Sequence, residues 1–259
     1  MNNAPIGIFD SGIGGITIFK SVQELLPKEN ILYYSDNYNS PYGNKSKKEI
    51  QDLSLKNSNW LLDKGCKIIV VACNTATTNC IEFLRKEISI PIIGVEPGVK
   101  PALLNTKSKN IGVLATKNTL TSELFNKTAN NNLKNNIKIH EQIGYELVNE
   151  IEKGVSNNKP LKQYLRKYLK PMLENNIDYL VLGCTHYHFL INEIRELINK
   201  NITIVDTITP ITNHVVNILN RLKIQTKNID KGKVYVFYNG NPISTEFIKK
   251  NYKVNYLDF

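Results

Sequence analysis

The sequence has few arginines and no long apolar run. Only four of its 33 Lys and Arg residues are arginine, and the lysines are scattered along the chain. Nucleic-acid readout and anion clamps favour arginine, so the net charge of +10 gives little support for a nucleic-acid partner. No apolar run approaches the roughly 20 residues that span a bilayer, and the N-terminal residues lack a signal-peptide pattern. We therefore expect a cytoplasmic protein with no membrane partner.

Cysteine is also scarce. Cys66, Cys73, Cys80 and Cys184 are too few and too irregularly spaced for a disulfide framework in 259 residues, so we expect free thiols. The sequence contains no CxxC or HExxH pattern, and its four histidines show no zinc-binding spacing. It therefore gives no indication of a bound metal.

Short runs rich in Ile and Val alternate with amphipathic stretches along the chain, which predicts an α/β fold with mostly parallel sheets flanked by helices. Eight runs are predicted as strands, at residues 6–9, 31–34, 67–72, 91–95, 111–115, 137–140, 179–183 and 202–205. A helical stretch at 211–222 and a strand-like run at 233–238 follow them.

The second four predicted strands repeat the first four in order. IGIFDS, NILYY, IIVVACNT and IPIIGV recur as IGVLAT, NIKIH, YLVLGCTH and ITIVDT, at offsets of 105 to 112 residues. We infer a duplicated unit and two pseudo-symmetric lobes with the active site in the cleft between them. The segment EPGVKP, at residues 96–101, is rich in turn-forming residues, which suggests a domain boundary within it. The first lobe is therefore predicted to comprise residues 1–97 and 208–259, and the second lobe residues 98–207.

Cys73 and Cys184 occupy equivalent positions of the repeat, directly after predicted strands, where parallel sheets bind ligands. Pseudo-symmetry therefore predicts two thiols that face each other across the cleft. Two acid/base groups on opposite sides of one carbon can remove a proton from one face and add another to the opposite face, which inverts a stereocentre. Thiol pKa values start near ~8.5 and fall beside helix N-termini or cations, so a thiolate is accessible near neutral pH.

Neutral hydrogen-bond donors lie next to the predicted thiols, and with the backbone N–H groups of helix starts they can hold carboxylates without arginine: Ser11, Asn74, Thr75 and Thr185. Asp10 and His186 can assist proton movement at a neighbouring thiol, and the turn Pro41-Tyr42-Gly43 can close over a ligand. Two other interpretations remain open. Asp10 is also a suitable helix cap, and the Gly-rich segment after it is a candidate phosphate site that lacks GxGxxG spacing.

Five segments, FDSGIGG, NSPYGNK, VACNTATT, IPIIGVEPGVKPA and LGCTHY, occur in this order and together resemble the glutamate racemases, amino-acid racemases that use no pyridoxal phosphate. The resemblance covers residues 6–206. It implies interconversion of L- and D-glutamate for bacterial peptidoglycan, without a metal or organic cofactor. Aspartate racemases of the same superfamily typically have GCTE where this chain has GCTH, which favours glutamate.

The resemblance also implies roles for the matching residues. Cys73 and Cys184 become the two acid/base residues, supported by Asp10, His186 and an acidic residue for which Glu152 is the best match. The implied substrate-binding residues are Asp10, Ser11, Pro41, Tyr42, Gly43, Asn74, Thr75, Thr185 and His186.

Some positions leave the implied site open to question. Glu146 and Glu150 compete with Glu152 for the acidic role. His188 stands where the family commonly has proline, so a second imidazole is expected near the cleft. Thr207-Ile208 replaces the family's usual residues after Asp206, which puts a substrate contact there in doubt.

The sequence leaves two alternative functions open. One is racemisation of another acidic amino acid, chiefly aspartate. The other is a basic binding or regulatory protein, for which the lysine excess is the only support. A thiol-redox role is disfavoured, because the two cysteines must leave room for a substrate carbon. We expect a small-molecule substrate, and a homodimer is an open alternative to a monomer.

Overall fold

The structure is a computed structural model that describes residues 3–130, 136–155, 158–244, 246–248 and 252–258. Its strands are β1 Ile6–Asp10, β2 Ile31–Ser35, β3 Ile68–Val71, β4 Ile92–Gly94, β5 Asn110–Ala115, β6 Lys138–Ile143, β7 Tyr179–Gly183, β8 Thr203–Ile204, β9 Val234–Tyr238 and β10 Lys253–Tyr256. Its α-helices are α1 Ile16–Leu25, α2 Lys47–Asp63, α3 Asn74–Glu87, α4 Val99–Asn105, α5 Lys117–Leu120, α6 Glu123–Asn130, α7 Leu147–Glu152, α8 Lys159–Glu174, α9 Ile191–Leu197 and α10 Ile208–Arg221.

The strands form two sheets, one with the order β10-β9-β2-β1-β3-β4 and one with the order β6-β5-β7-β8. Every strand pair that the described residues form is parallel. The α/β prediction and all eight strand predictions are confirmed. β1, β2 and β3 are buried along their whole length, which explains why these strands are continuous apolar runs.

The two sheets share one strand order, because β2-β1-β3-β4 corresponds to β6-β5-β7-β8. This agreement supports the inferred duplication. In the first sheet β2 lies on one side of β1, and β3 and β4 follow on the other side, so the strand order changes direction between β1 and β3. In the second sheet it changes between β5 and β7. α/β proteins bind ligands at the carboxyl ends of the strands at such a point. Asp10 and Cys73 lie at that point in the first sheet, and Cys184 lies at the corresponding point in the second. Below, the first lobe is the part of the chain that contains the six-stranded sheet, and the second lobe is the part that contains the four-stranded sheet.

Helix α2 shows how local sequence sets the elements around the sheets. Ser46 and Glu49 form a capping box, in which each side chain accepts a hydrogen bond from the other residue's backbone N–H. The helix then buries Ile50 and Leu61 on one face. These residues form the buried apolar face that is typical of an amphipathic helix.

The C-terminal part of the chain returns to the first lobe. Helix α10 packs against α1, and the Thr212 hydroxyl donates to the Ser21 hydroxyl oxygen over 3.0 Å. Strand β9 pairs with β2, so the strand-like run at 233–238 is confirmed. Strand β10 is not among the strands predicted from the sequence. Three of its four residues are exposed, as is typical of an edge strand, so it lacks the apolar run that marks the buried strands.

The chain passes between the lobes twice. After β4, helix α4 begins at Val99, inside the segment predicted as a turn-rich linker. On the return, the Asp206 carboxylate accepts hydrogen bonds from the backbone N–H groups of Ile208 and Thr209, at 2.9 and 3.1 Å, where α10 begins. No helix in the described part of the chain is both long enough and apolar enough to cross a membrane.

Candidate active site

A narrow cavity lies between the carboxyl ends of the two sheets. It is lined by Ser11, Pro41, Tyr42, Gly43, Cys73, Asn74, Thr75, Thr116, Val148, Cys184, Thr185 and His186. Both cysteines of the repeat line this space, each contributed by a different lobe.

Cys73 follows strand β3 and is the N-cap residue of helix α3. Its sulfur accepts a hydrogen bond from the backbone N–H of Ala76 at 3.4 Å and lies 3.5 Å from the Ser11 hydroxyl. Burial, together with the nearby Asp10 charge, raises the pKa of the Cys73 thiol well above its usual value, although the two hydrogen bonds favour the thiolate. Burial first, and the Asp10 charge second, therefore favour the neutral thiol at Cys73.

Cys184 begins a three-residue relay on the other side of the cavity. Its sulfur lies 3.8 Å from Nδ1 of His186, and Nε2 of His186 lies 2.6 Å from Oε1 of Glu152. Burial lowers the pKa of His186, but hydrogen bonds to Cys184 and Glu152 outweigh it and hold that pKa well above its usual value. The raised pKa favours the imidazolium form of the His186 ring, which lies against the Cys184 sulfur.

Glu152 is the acidic residue of its segment that reaches this relay. Its Oε1 also accepts a hydrogen bond from the backbone N–H of Ile13 at 3.1 Å. Glu150 instead pairs with Lys153 at 2.8 Å, and Glu146 is exposed. Glu152, which is the best match to the family's acidic residue, therefore lies beside His186, whereas Glu146 and Glu150 do not.

Asp10 is fully buried at the end of β1. Its Oδ2 accepts hydrogen bonds from the Gly15 backbone N–H at 2.7 Å and from the Thr185 hydroxyl at 3.4 Å, while its Oδ1 has no hydrogen-bond partner. Burial raises the pKa of Asp10 from 3.8 to about 6, against the lowering effect of His186. Asp10 does cap the turn after β1, but it also lies beside Cys73.

The raised pKa of Asp10 predicts a stability cost that depends on pH. Between pH ~4 and ~6 the folded chain binds this proton more tightly than the unfolded chain, so ionisation of Asp10 lowers the free energy of unfolding by about 3 kcal/mol as the pH rises. We expect Asp10→Asn to raise the free energy of unfolding at pH 8 by up to about this amount, since Asn keeps the acceptor oxygen for Gly15. The gain should shrink as the pH falls below 6.

Urea unfolding at pH 8 and pH 5 measures this difference. Asp52→Asn is the matched control, because Asp52 is exposed and pairs only with Lys48 on the surface of α2. A gain in Asp10→Asn that is the same at both pH values would contradict the burial cost.

The Gly-rich segment after Asp10 brings the two lobes into direct contact. A Cβ atom at Gly12 would collide with Oε1 of Glu152, and one at Gly14 would collide with Nδ1 of His186 and with Thr185. The short 3₁₀ segments Ile13–Gly15 and Thr185–Leu190 pack against each other for this reason. A carboxylate fills the space over Gly12, so this segment is not a phosphate site.

Tyr42 contributes to the cavity mainly through its backbone. Its hydroxyl donates to the Asp36 carboxylate and accepts from the Asn57 amide at 3.0 Å, deep in the first lobe. Asp36 also accepts a hydrogen bond from the Asn239 amide at 2.7 Å. The side chain thus anchors the turn, and the peptide groups of Tyr42 and Gly43 remain next to the cavity.

Thr116 lines the cavity but is absent from the sequence-predicted site. Its hydroxyl lies 2.8 Å from the hydroxyl of Thr75 and 2.9 Å from that of Thr119. The contact between Thr116 and Thr75 joins the two lobes beside the cavity. A signal for it existed, because the offset of 105 residues that relates Gly7 to Gly112 also relates Ser11 to Thr116.

The two departures from the family pattern contact each other. Nε2 of His188 lies 3.0 Å from the Thr207 hydroxyl, and its Nδ1 lies 3.3 Å from the Thr185 carbonyl oxygen. The imidazole of His188 thus contacts the lining residue Thr185 but does not itself line the cavity. The helical segments that follow Ser11 and Cys184 begin as 3₁₀ turns, at Ile13–Gly15 and Thr185–Leu190.

The remaining predicted residues lie where the sequence places them. Cys66 and Cys80 are buried in the first lobe, outside the cavity, and all four cysteines are free thiols. Within the described ranges, no group of three His, Cys, Asp or Glu side chains is arranged to hold a metal ion.

Comparison with known proteins gives this geometry a family. Residues 13–215 match the Asp/Glu/hydantoin racemase family. A glutamate racemase from Ralstonia pickettii is 43% identical over 212 residues, which cover 82% of this chain and 75% of that protein. The chain belongs to the Asp/Glu/hydantoin racemase family.

Solved structures of racemases in this family have the same fold. A glutamate racemase isoform from Bacillus anthracis has a TM-score of 0.89 and 30% identity, covering 100% of this chain and 98% of that one. A glutamate racemase from Francisella tularensis, solved in complex with D-glutamate, has a TM-score of 0.86 and 26% identity, with the same coverage. The two-lobe α/β architecture is thus that of this racemase family.

Proposed function

We propose that this protein interconverts L- and D-glutamate by proton transfer at Cα, with Cys73 and Cys184 as the two acid/base residues, and that it supplies D-glutamate for peptidoglycan. The observation that carries the proposal is the single cavity lined by both thiols. Membership of the racemase family supports the reaction class. Relatives named as glutamate racemases support glutamate over aspartate.

The lining of the cavity supports binding of an amino acid with two carboxylates. Oδ1 of the lining residue Asn74 is buried without a hydrogen-bond donor, and so is Oδ1 of Asp10, which precedes the lining residue Ser11. Both oxygens can accept N–H groups of the substrate ammonium. The carboxylates would be held by hydroxyl and backbone donors. No Lys or Arg belongs to the described lining, so the proposed recognition relies on neutral donors: Ser11, Thr75, Thr116, Thr185 and the peptide groups of Tyr42 and Gly43.

The proposed step moves one proton to each side of Cα. One thiolate removes the Cα proton and becomes a thiol, and the carbanion takes a proton from the opposite thiol, which becomes a thiolate. The pair of cysteines therefore keeps its total charge, and no oxidant or cofactor takes part in the proposed reaction. Asp10 supports proton transfer at Cys73, and His186 with Glu152 supports it at Cys184. The proposed lobes, residues 1–97 with 208–259 and residues 98–207, each bring one thiol.

The function is tested by incubating each enantiomer of glutamate with the reduced protein in D₂O. We expect inversion of both enantiomers, with deuterium at Cα of the product, because the incoming proton derives from a thiol that exchanges with solvent. Chiral separation followed by mass spectrometry measures both quantities. Absence of both inversion and deuterium uptake would overturn the proposal, and faster inversion of aspartate in the same assay would redirect it.

The remaining sequence predictions are proposals that separate experiments decide. Light scattering tests the homodimer, and the cytoplasmic location also stays a prediction. DNA binding that depends on salt and persists in a variant without Cys73 and Cys184 would favour the alternative of a basic binding protein.

A further inference from the structure

Asn118 connects the second lobe to the turn that forms one wall of the cavity. It lies on the short helix α5, and its Nδ2 donates to the backbone carbonyl oxygens of Lys45 and Tyr42, at 2.6 and 3.2 Å. Because both partners are carbonyl acceptors, the side-chain nitrogen and not the oxygen must face them. Both N–H groups of this amide are therefore used to bind the turn.

The backbone of Asn118 is held from the first lobe as well. The Asn79 amide on α3 donates to the Asn118 carbonyl oxygen at 3.1 Å, and also to the Thr75 carbonyl oxygen at 2.8 Å. Asn118 is thus fixed relative to the helix that Cys73 caps. The turn and the thiol are positioned by the same contact region between the lobes.

The turn that Asn118 binds is closed on itself. The Lys45 N–H donates to the Tyr42 carbonyl oxygen at 3.1 Å, so Asn118 contacts the carbonyl groups of both its first and last residues. On the opposite side, the Tyr42 hydroxyl anchors the turn to Asp36. A Cβ atom at Gly43 would lie only 2.9 Å from Cβ of Thr116, so the backbone of the turn approaches the second lobe closely at the cavity wall.

We propose that Asn118 is a positioning residue that fixes the turn of residues 42–45 across the cleft and so orients its peptide groups toward bound glutamate. The inference rests on the proposed function. Asn118 is not among the cavity-lining residues, so it acts through the turn. Its two hydrogen bonds join α5 of the second lobe to the turn of the first lobe.

Two substitutions at Asn118 separate hydrogen-bond donation from packing. Asn118→Ala removes both donors, and we expect KM for each enantiomer to rise about tenfold, with a smaller change in kcat. Asn118→Asp has nearly the same shape but only acceptor oxygens, which would face two carbonyl oxygens. We expect KM to rise further in Asn118→Asp than in Asn118→Ala. Equal effects of the two substitutions, or a fall in kcat with KM unchanged, would overturn the inference.

Asn175 provides the matched control. It is exposed, and its amide donates to the Pro171 carbonyl oxygen within α8 at 2.7 Å. Asn175→Ala and Asn175→Asp should leave KM and kcat unchanged. Thermal unfolding of all four variants shows whether each one is folded under the assay conditions.

Hydrogen exchange tests the inference without relying on activity. In Asn118→Ala, amides of residues 42–45 should exchange faster than in the unchanged protein, while those of α8 should keep their protection. Unchanged exchange at 42–45 would overturn the positioning role. If the unchanged protein proves inactive on glutamate, the proposed function fails, whereas the exchange result still decides whether Asn118 holds the turn.

Discussion

Replacement of either Cys73 or Cys184 by alanine is expected to lower racemase turnover by about 10³-fold or more, because each variant lacks one of two groups that must exchange protons with Cα. Neither side has a substitute of the same kind. The cavity holds one thiol from each lobe, and Cys66 and Cys80 lie outside it. The initial rate of inversion of each enantiomer, followed by chiral chromatography, measures the loss.

Deuterium exchange gives the two variants a signature that simple inactivation would not produce. Each variant keeps one thiol on one face of Cα. That thiol can remove a proton and return a solvent deuteron to the same face, which labels the substrate without inverting it. We expect Cys73→Ala and Cys184→Ala to label opposite enantiomers. Labelling of both enantiomers by a single variant would contradict the arrangement of one thiol on each face.

Cys66→Ala and Cys80→Ala are the controls for these variants. Burial raises the pKa of Cys66 to about 12 and that of Cys80 to about 11, and both thiols lie outside the cavity. Both substitutions remove a buried sulfur from the same lobe as Cys73 while leaving the cavity intact. They should retain racemase activity and lose only packing, which separates the chemical effect from a general effect on the fold.

The placement of the two thiols was predictable because the repeat and the sheet geometry act together. A residue that follows a parallel strand must lie at the carboxyl edge of its sheet, whatever the loops do. Cys73 and Cys184 follow equivalent strands, so a two-lobe molecule brings them to equivalent edges. The same reasoning applies to Asp10 and Ser11 after β1, and it would have identified Thr116 had the repeat been followed through β5.

Contacts that depend on how the lobes meet were beyond the reach of the sequence. Asn118 lies in a short helix, and nothing in its local sequence indicates that its amide binds two carbonyl groups of a distant turn. Glu152 was chosen over its neighbours by resemblance, and only the packing of α7 against the relay distinguishes it. For His188, the sequence does not indicate that its ring contacts both the Thr207 hydroxyl and the carbonyl group of the lining residue Thr185.

A second large effect is expected from His186→Asn. The imidazolium of His186 joins the Cys184 sulfur to the Glu152 carboxylate, so its loss removes both the cation beside the Cys184 thiolate and a group that carries its proton. We expect kcat/KM to fall about 100-fold. Glu152→Gln keeps the ring and removes only its charged partner, so a decrease of about tenfold is expected. His140→Asn, on β6 and hydrogen-bonded to Asn110, is the control.

The pH profile separates a chemical role of His186 from a structural one. Because the pKa of His186 is raised, the imidazolium persists through neutral pH, and kcat/KM of the unchanged protein should fall as the pH rises through that raised pKa. His186→Asn has no such ionisation and should lose this decline. L- and D-glutamate have equal free energies in water, so kcat/KM must stay equal for the two in every variant, and a defect at Cys184 lowers both by one factor. A retained alkaline decline in His186→Asn would assign it to another group.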